Sequence, residues 1–477
     1  MEAIYSTQNK LKKDLPLTKV RAVLNQNYQR HGTKSYVHLL RKYKFEPTRG
    51  GPYFISSRPK QRGRVPTTLR AILGGRVSQE RVLLKYSGPE SQHDEVTAED
   101  TQNDTMYLCK VSVGTPPQNF MLDFDTGSAD TWIFSKELSS SEEEGHNVFD
   151  PKKSSTYVPL PNKTWKIEYG DESYASGSCG TDTLTVGGLA VKKQTVEMAD
   201  KLSEEFVSNA GDGLFGLAFS KLNTVKDGSM ADPQATPVEN MVKQDDIPKE
   251  AALFTSAFYC SRDAATSKSF YTFGFIDQDL VKKSGEEIHW VPVDKSDGFW
   301  AIPSASASVN GESIPMDSNM AIADTGTTLL LLPDDVIDLL YTHIPGAAYD
   351  WFNQGYCFPI DVAVDDLPEF KVAIGDKEFL IQKEDLAFAP TADGQSWYGG
   401  VQSRGTLPFN IYGDTFLKSV YAIWDQGNTR FGVVPKLEEK QHLTPPPKAT
   451  GNGEAKTKVT SVAMAAADSI DPVSVPL

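Results

Sequence analysis

The chain contains no apolar run of about 18 residues, the length a helix needs to cross a bilayer, so no membrane span is expected. Cysteine is scarce, with four in 477 residues, which excludes a disulfide-dense scaffold. The seven histidines do not stand at ligand spacing with Cys109, Cys179, Cys260 or Cys357, so neither a metal nor another cofactor is expected. The first residues, MEAIYSTQNKLKKDL, carry charge but no apolar core and do not read as a standard secretory signal. Helical periodicity is also sparse. Only Pro237–Lys243 and Pro333–His343 are good candidates, each opened by a proline near the first turn.

What is present is β pattern and an uneven charge. Glycine (36) and proline (29) punctuate short alternating segments, of which Tyr107–Val113, Phe120–Phe124, Thr183–Val186, Ser269–Phe275 and Val420–Trp424 read as strands. The fold class is therefore mainly β. Residues 1–85 hold 19 Lys and Arg against 4 Asp and Glu, a charge of +15, while the remainder holds 29 against 59, a charge of -30. A basic arm ahead of an acidic body is either a solvated or nucleic-acid-binding tail or an arm that neutralises its own body and lets go in acid. So acidic a body disfavours nucleic acid as a partner. The end of the chain, from about Gln441, is rich in Pro, Ala, Thr, Ser and Gly and reads as disordered.

The most informative feature is an internal repeat. Met121-Leu-Asp-Phe-Asp125-Thr-Gly-Ser128 is matched by Met320-Ala-Ile-Ala-Asp324-Thr-Gly-Thr327, and each copy runs on into an apolar stretch. An apolar pair and a glycine follow each copy, Leu214-Phe215-Gly216 and Ile411-Tyr412-Gly413; Gly216 lies 91 residues after Asp125, and Gly413 lies 89 after Asp324. Two copies with matched partners at matched distance indicate two related lobes. In each copy a carboxylate sits on a tight turn after a buried strand. Gly127 and Gly326 allow close backbone approach, and the hydroxyls of Ser128 and Thr327 are placed to hydrogen-bond the carboxylates. Two such turns face to face bring Asp125 and Asp324 together, and two carboxyls that close share one proton, as is described for aspartic protease pairs generally. The charged member takes a proton from water, and the protonated member gives one to a carbonyl oxygen.

These motifs resemble the pepsin-like aspartic protease family, its fungal members in particular. Val113-Gly-Thr-Pro-Pro-Gln118 with Asp125-Thr-Gly-Ser-Ala-Asp-Thr-Trp132 looks like the family's N-terminal lobe. Asp212-Gly-Leu-Phe-Gly-Leu-Ala218 and Ile411-Tyr-Gly-Asp-Thr-Phe-Leu417 look like its later signatures. The resemblance runs from about Tyr107 to Val434. It implies a bilobal β fold with a central substrate cleft, and an aspartic endopeptidase acting on polypeptides at acid pH with Asp125 and Asp324 as catalytic carboxylates. It also implies a flap over the substrate that includes Tyr169, Gly170 and Asp171, with Trp132 as the hydrogen-bond partner of Tyr169. Glu172 stands where the family usually has glycine. The stretch Val23–Lys44 is similar to fungal pro-segments, in which a lysine pairs with the catalytic carboxylates. Lys42 and Lys44 are both candidates. Arm removal is expected between about Ser87 and Asp104.

The same resemblance places Cys357 at the first half of a C-lobe disulfide whose partner position, near Trp397, holds no cysteine, so Cys357 is expected to be a free thiol. Cys109 and Cys179 could pair, or all four thiols could be reduced. The division expected is a basic pro-segment and activation region at 1–100, an N-terminal lobe at 101–295, a C-terminal lobe at 296–440 and a disordered tail at 441–477, in a monomer. Family members are usually secreted or vacuolar, whereas this N-terminus shows no recognisable signal. The competing function is a catalytically silent peptide- or protein-binding member of the same fold.

Overall fold

The computed structural model describes residues 2–15, 17–25, 28–59, 79–86, 93–95, 107–168, 174–208, 211–244, 251–259, 268–438 and 443. Strand dominates, as the alternating segments predict. The arm supplies helix α1 (Glu2–Asp14), strand β1 (Val20–Leu24), helix α2 (Gly32–Tyr43) and a small antiparallel sheet of β2 (Tyr53–Pro59), β3 (Gln79–Tyr86) and β4 (His93–Glu95). The body begins with β5 (Tyr107–Val113), β6 (Gln118–Asp125) and β7 (Thr131–Phe134), and continues with β8 (Val158–Glu168), β9 (Tyr174–Val186), β10 (Leu189–Leu202) and β11 (Gly213–Gly216). The helix read at Pro237–Lys243 spans those residues. It is fixed by a capping box in which Thr236 and Glu239 satisfy each other's backbone N–H groups. The second predicted helix runs Asp334–Thr342, with Pro333 standing just before its first turn.

The arm strand is part of the main sheet. β1 lies between β5 (Ala22 opposite Cys109) and β12 (Phe270–Phe273; Val20 opposite Tyr271). On the far side of β12 the sheet continues through Leu253–Ala257, Val420–Asp425 and Arg430–Pro435. The isolated sequence Val-Arg-Ala-Val-Leu is short and charged, but here both of its edges are hydrogen-bonded and Ala22 is fully buried.

The repeat in the sequence is a repeat in topology. β11 pairs parallel with β6 and antiparallel with β7, and β7 in turn runs parallel to β10. In the second lobe Asn410–Tyr412 pairs parallel with Met320–Ala323 and antiparallel with Leu330–Leu332, which runs parallel to Val401–Ser403. The matched distances of 91 and 89 residues arise because each Asp-Thr-Gly turn needs a returning strand to clamp it. That strand ends in glycine because space forbids a side chain: a Cβ on Gly216 would lie 2.5 Å from the Ala129 carbonyl carbon, and one on Gly413 2.5 Å from the Leu329 oxygen.

Cys109, Cys179 and Cys357 are buried free thiols, so the possible Cys109–Cys179 bridge does not form. β5 and β9 do touch, but at Ser112 opposite Thr185, a register that carries the two cysteines away from each other. Cys109 packs in the large core and Cys179 in the separate cluster around Trp132 and Trp165. Cys357 lies opposite Tyr398.

Candidate active site

The two Asp-Thr-Gly turns meet and interlock. Thr126 N–H donates to the Thr325 hydroxyl (3.1 Å), and Thr325 N–H donates to the Thr126 hydroxyl (2.9 Å). Each hydroxyl then donates across to the strand before the opposite aspartate, Thr126 to the Ala323 carbonyl (3.1 Å) and Thr325 to the Phe124 carbonyl (2.6 Å). All four bonds are buried, so the threonine groups that join the turns are satisfied away from water. Asp125 and Asp324, 4% and 0% exposed, therefore project from a rigid base.

The glycines are required by space. Gly127 N–H donates to Asp125 Oδ1 (2.7 Å) and Gly326 N–H to Asp324 Oδ1 (3.0 Å). A Cβ on Gly127 would lie 2.5 Å from Asp324 Oδ1, and one on Gly326 2.3 Å from Asp125 Oδ1. Ser128 stands beside Asp125 and favours its ionised form. Thr327 departs from expectation: its hydroxyl donates to the backbone carbonyl of Asp324 (3.3 Å), because the turn that carries it folds back on its own chain. Trp132 is buried and stacks on Trp165 at 5.8 Å. Tyr169, Gly170, Asp171 and Glu172 lie outside the described residues.

The arm brings a cation to this point. α2 is docked by Gly32 under the Tyr398 ring, by the Thr33 hydroxyl on Asn353 O (2.9 Å) and by the Tyr36 hydroxyl on Ser403 O (3.0 Å). Lys42, in its last turn, places Nζ 3.2 and 3.3 Å from the Asp125 oxygens and 3.2 and 2.9 Å from those of Asp324. Lys44 does not compete. It is the helix C-cap, in the left-handed region (φ 53°), and its N–H closes the helix on Leu40 O (2.9 Å).

Sequence reasoning missed Tyr43, whose hydroxyl donates to Asp324 Oδ2 at 2.7 Å while its ring sits against Phe299 and Phe409. The one available signal was its place beside Lys42. The arm's contacts split the two carboxyls. Burial pushes Asp125 up to about 6, with Lys42 opposing and Asp324 adding. Burial pushes on Asp324 too, but Lys42, the bond to Asp125 and the bond from Tyr43 outweigh it and hold Asp324 down at about 2. Among the described residues no group of His, Cys, Asp and Glu is placed to hold a metal.

Two β lobes presenting matched, interlocked Asp-Thr-Gly turns define a pepsin-like aspartic proteinase fold. A crystal structure of an aspartic proteinase from Irpex lacteus superposes with a TM-score of 0.57 at 24% identity, covering 70% of this chain and 95% of that one. Residues 106–436 match the family model for eukaryotic aspartyl protease. Aspergillopepsin-1 of Aspergillus oryzae is 40% identical over 338 residues, 71% of this chain and 80% of that protein. Penicillopepsin-1 of Penicillium rubens is 41% identical over 333 residues, 69% and 78% of the two chains. The chain belongs to the eukaryotic aspartyl protease family and is an aspartic endopeptidase.

Proposed function

We propose that Asp125 and Asp324 are the catalytic pair of this endopeptidase, that it is made as a zymogen, and that it works at acid pH once the arm has left. The observation that carries the reading is the Lys42 ammonium, within 3.3 Å of all four carboxylate oxygens. A cation so placed fills the position where water must be activated, and Tyr43 closes the Asp324 side.

With the arm gone, the buried carboxyls lose their counterion and share a proton. The ionised member then draws a proton from water, and the protonated member donates to the scissile carbonyl. A gem-diol forms without a covalent enzyme intermediate. Both carboxylates belong to one chain, so a monomer suffices. In this reading residues 1–100 are the removable arm and 101–295 and 296–440 are the two lobes. Polypeptides are the substrates, and the segment around Tyr169 to Asp171 closes over them.

The test is hydrolysis of a denatured protein at pH about 3 to 6 by wild type and by Asp324→Asn. Activity is expected only in wild type, with a new N-terminus after Ser87. Equal residual activity in both would remove Asp324 from the mechanism. A folded wild type that stays inactive after its arm is removed would refute the reading as a whole.

A further inference from the structure

Seven residues beyond Lys42 the arm crosses a second surface of the C-terminal lobe, well built for a peptide. Arg49 sits over two tyrosine rings, with its guanidinium carbon 5.7 Å from the Tyr349 centroid and 5.2 Å from that of Tyr356. The same guanidinium pairs with Asp338, which also accepts from the Tyr356 hydroxyl (2.6 Å). The Tyr349 hydroxyl donates to Gly50 O (3.1 Å). Gln354 then holds the backbone of Tyr53 at both polar atoms: Tyr53 N–H donates to its Oε1 (2.8 Å), and its Nε2 donates to Tyr53 O (2.7 Å).

The surface selects by shape as well as charge. Gln354 is 1% exposed, lies in the left-handed region (φ 51°) and has its side chain committed to that clamp. A Cβ on Gly51 would lie 2.4 Å from its Cδ, so only glycine fits there. A Cβ on Gly50 would meet only Trp351, at 3.4 Å. The pattern read is arginine, any small residue, then glycine. Beside it Trp351 and Phe352 are already 44% and 80% exposed, and departure of the arm uncovers Tyr349, Tyr356 and Gln354 to join them. An apolar, aromatic patch next to a carboxylate and a backbone clamp has the composition of a binding surface.

We infer that this face of the C-terminal lobe, once the arm has left, is an exosite that binds Arg-x-Gly segments of polypeptide substrates away from the aspartate pair. The inference rests on the zymogen reading above. Its partner is a substrate chain that carries such a segment at a distance from the bond to be cut, including the arm of a second copy of this protein.

The experiment compares cleavage of one peptide core with and without Thr-Arg-Gly-Gly-Pro-Tyr attached through a Gly/Ser linker at either end. The enzyme is the full chain after it has shed its arm in acid, checked by N-terminal sequencing. A pair of this kind lowers KM about tenfold, and kcat stays unchanged. The gain is expected to vanish when the substrate arginine becomes alanine or when the enzyme carries Asp338→Ala, while the bare core is cut at the wild-type rate by both enzymes. If Asp338→Ala does not fold, the substrate arginine substitution asks the same question of wild type. Equal KM with and without the segment, after the arm is shed, would overturn this inference alone. An arm that stays bound would overturn both readings, since the surface is then never vacated.

Discussion

The pH at which the arm leaves should be set largely by His38. This side chain is buried in α2, and its Nδ1 lies 3.4 Å from Arg41 Nη2. A guanidinium only donates, so Nδ1 must accept and the imidazole must be neutral. Burial, then Arg41, then Lys42 hold its protonation well below the ordinary histidine range, and Asp324 across the interface only partly offsets them. The docked histidine thus binds a proton less readily than the released one. Docking is therefore at full strength above about pH 6.5 and weakens tenfold for each unit below it, until the docked value is reached. Each unit by which docking lowers the histidine therefore costs about tenfold in docking once the pH has fallen through that unit. Asp324 stays ionised down to about 2 and keeps its pairing with Lys42 through this range, whereas Asp125, at about 6, takes up a proton within it. The variant His38→Gln keeps an acceptor but cannot take a proton. The full chain, acidified for timed intervals, neutralised and resolved on a gel, should convert much more slowly at pH 4.5 in this variant. Both proteins should convert near pH 3 and have equal activity afterwards. Conversion profiles that overlay within about 0.2 pH unit would refute the reasoning.

Three other changes test the site. Gly326→Ala sets a methyl 2.3 Å from Asp125 Oδ1, and it should cut kcat by about 100-fold, since small misplacement of reacting groups is costly; the circular dichroism spectrum should be unchanged. Lys42→Met leaves two buried carboxyls without a cation and should weaken arm docking by about 3 to 5 kcal/mol. Such a chain should cut a short peptide before any arm cleavage, whereas Lys44→Met should remain inhibited. Glu197, pushed well above the ordinary range by burial and by Asp130, shares a buried site with that residue, itself raised by burial to about 6. Raised carboxyls stabilise fully below their unfolded values and lose that contribution as pH rises through the folded ones. Glu197→Gln should therefore flatten the fall in melting temperature as pH rises above the ordinary glutamate value of about 4.3.

The fold was legible because duplication writes the same constraint twice. Each aspartate turn needs a glycine to clear the opposite carboxylate, a threonine to lock the opposite strand and a returning strand to close behind it, and all three recur in order along the chain. The arm carries no such redundancy. Lys42 and Lys44 are equivalent as residues. What separates them is that α2 ends between them, in a left-handed cap that no glycine or asparagine announces. β1 is five residues whose pairing on both edges is supplied by segments about 85 and 250 residues away, so its role follows from tertiary contact and not from local pattern.

That contrast also explains why the two carboxyls differ while their turns do not. Their glycine donors sit at 2.7 and 3.0 Å and the threonine bonds are reciprocal, and the difference the body does make, Ser128 beside Asp125, acts to lower Asp125 and not Asp324. Lys42 touches both. Tyr43 touches only Asp324, and Asp324 is the member held low. The asymmetry therefore comes from the arm, and a proton bound to the intact chain near pH 5 resides on Asp125. On the proposed zymogen reading, departure of α2 removes the counterion and the single-sided donor together, and two buried carboxyls then compete for one proton. Inhibition and activation, on that reading, are two charge states of one frame: in the first the arm's ammonium balances the pair, and in the second a shared proton does.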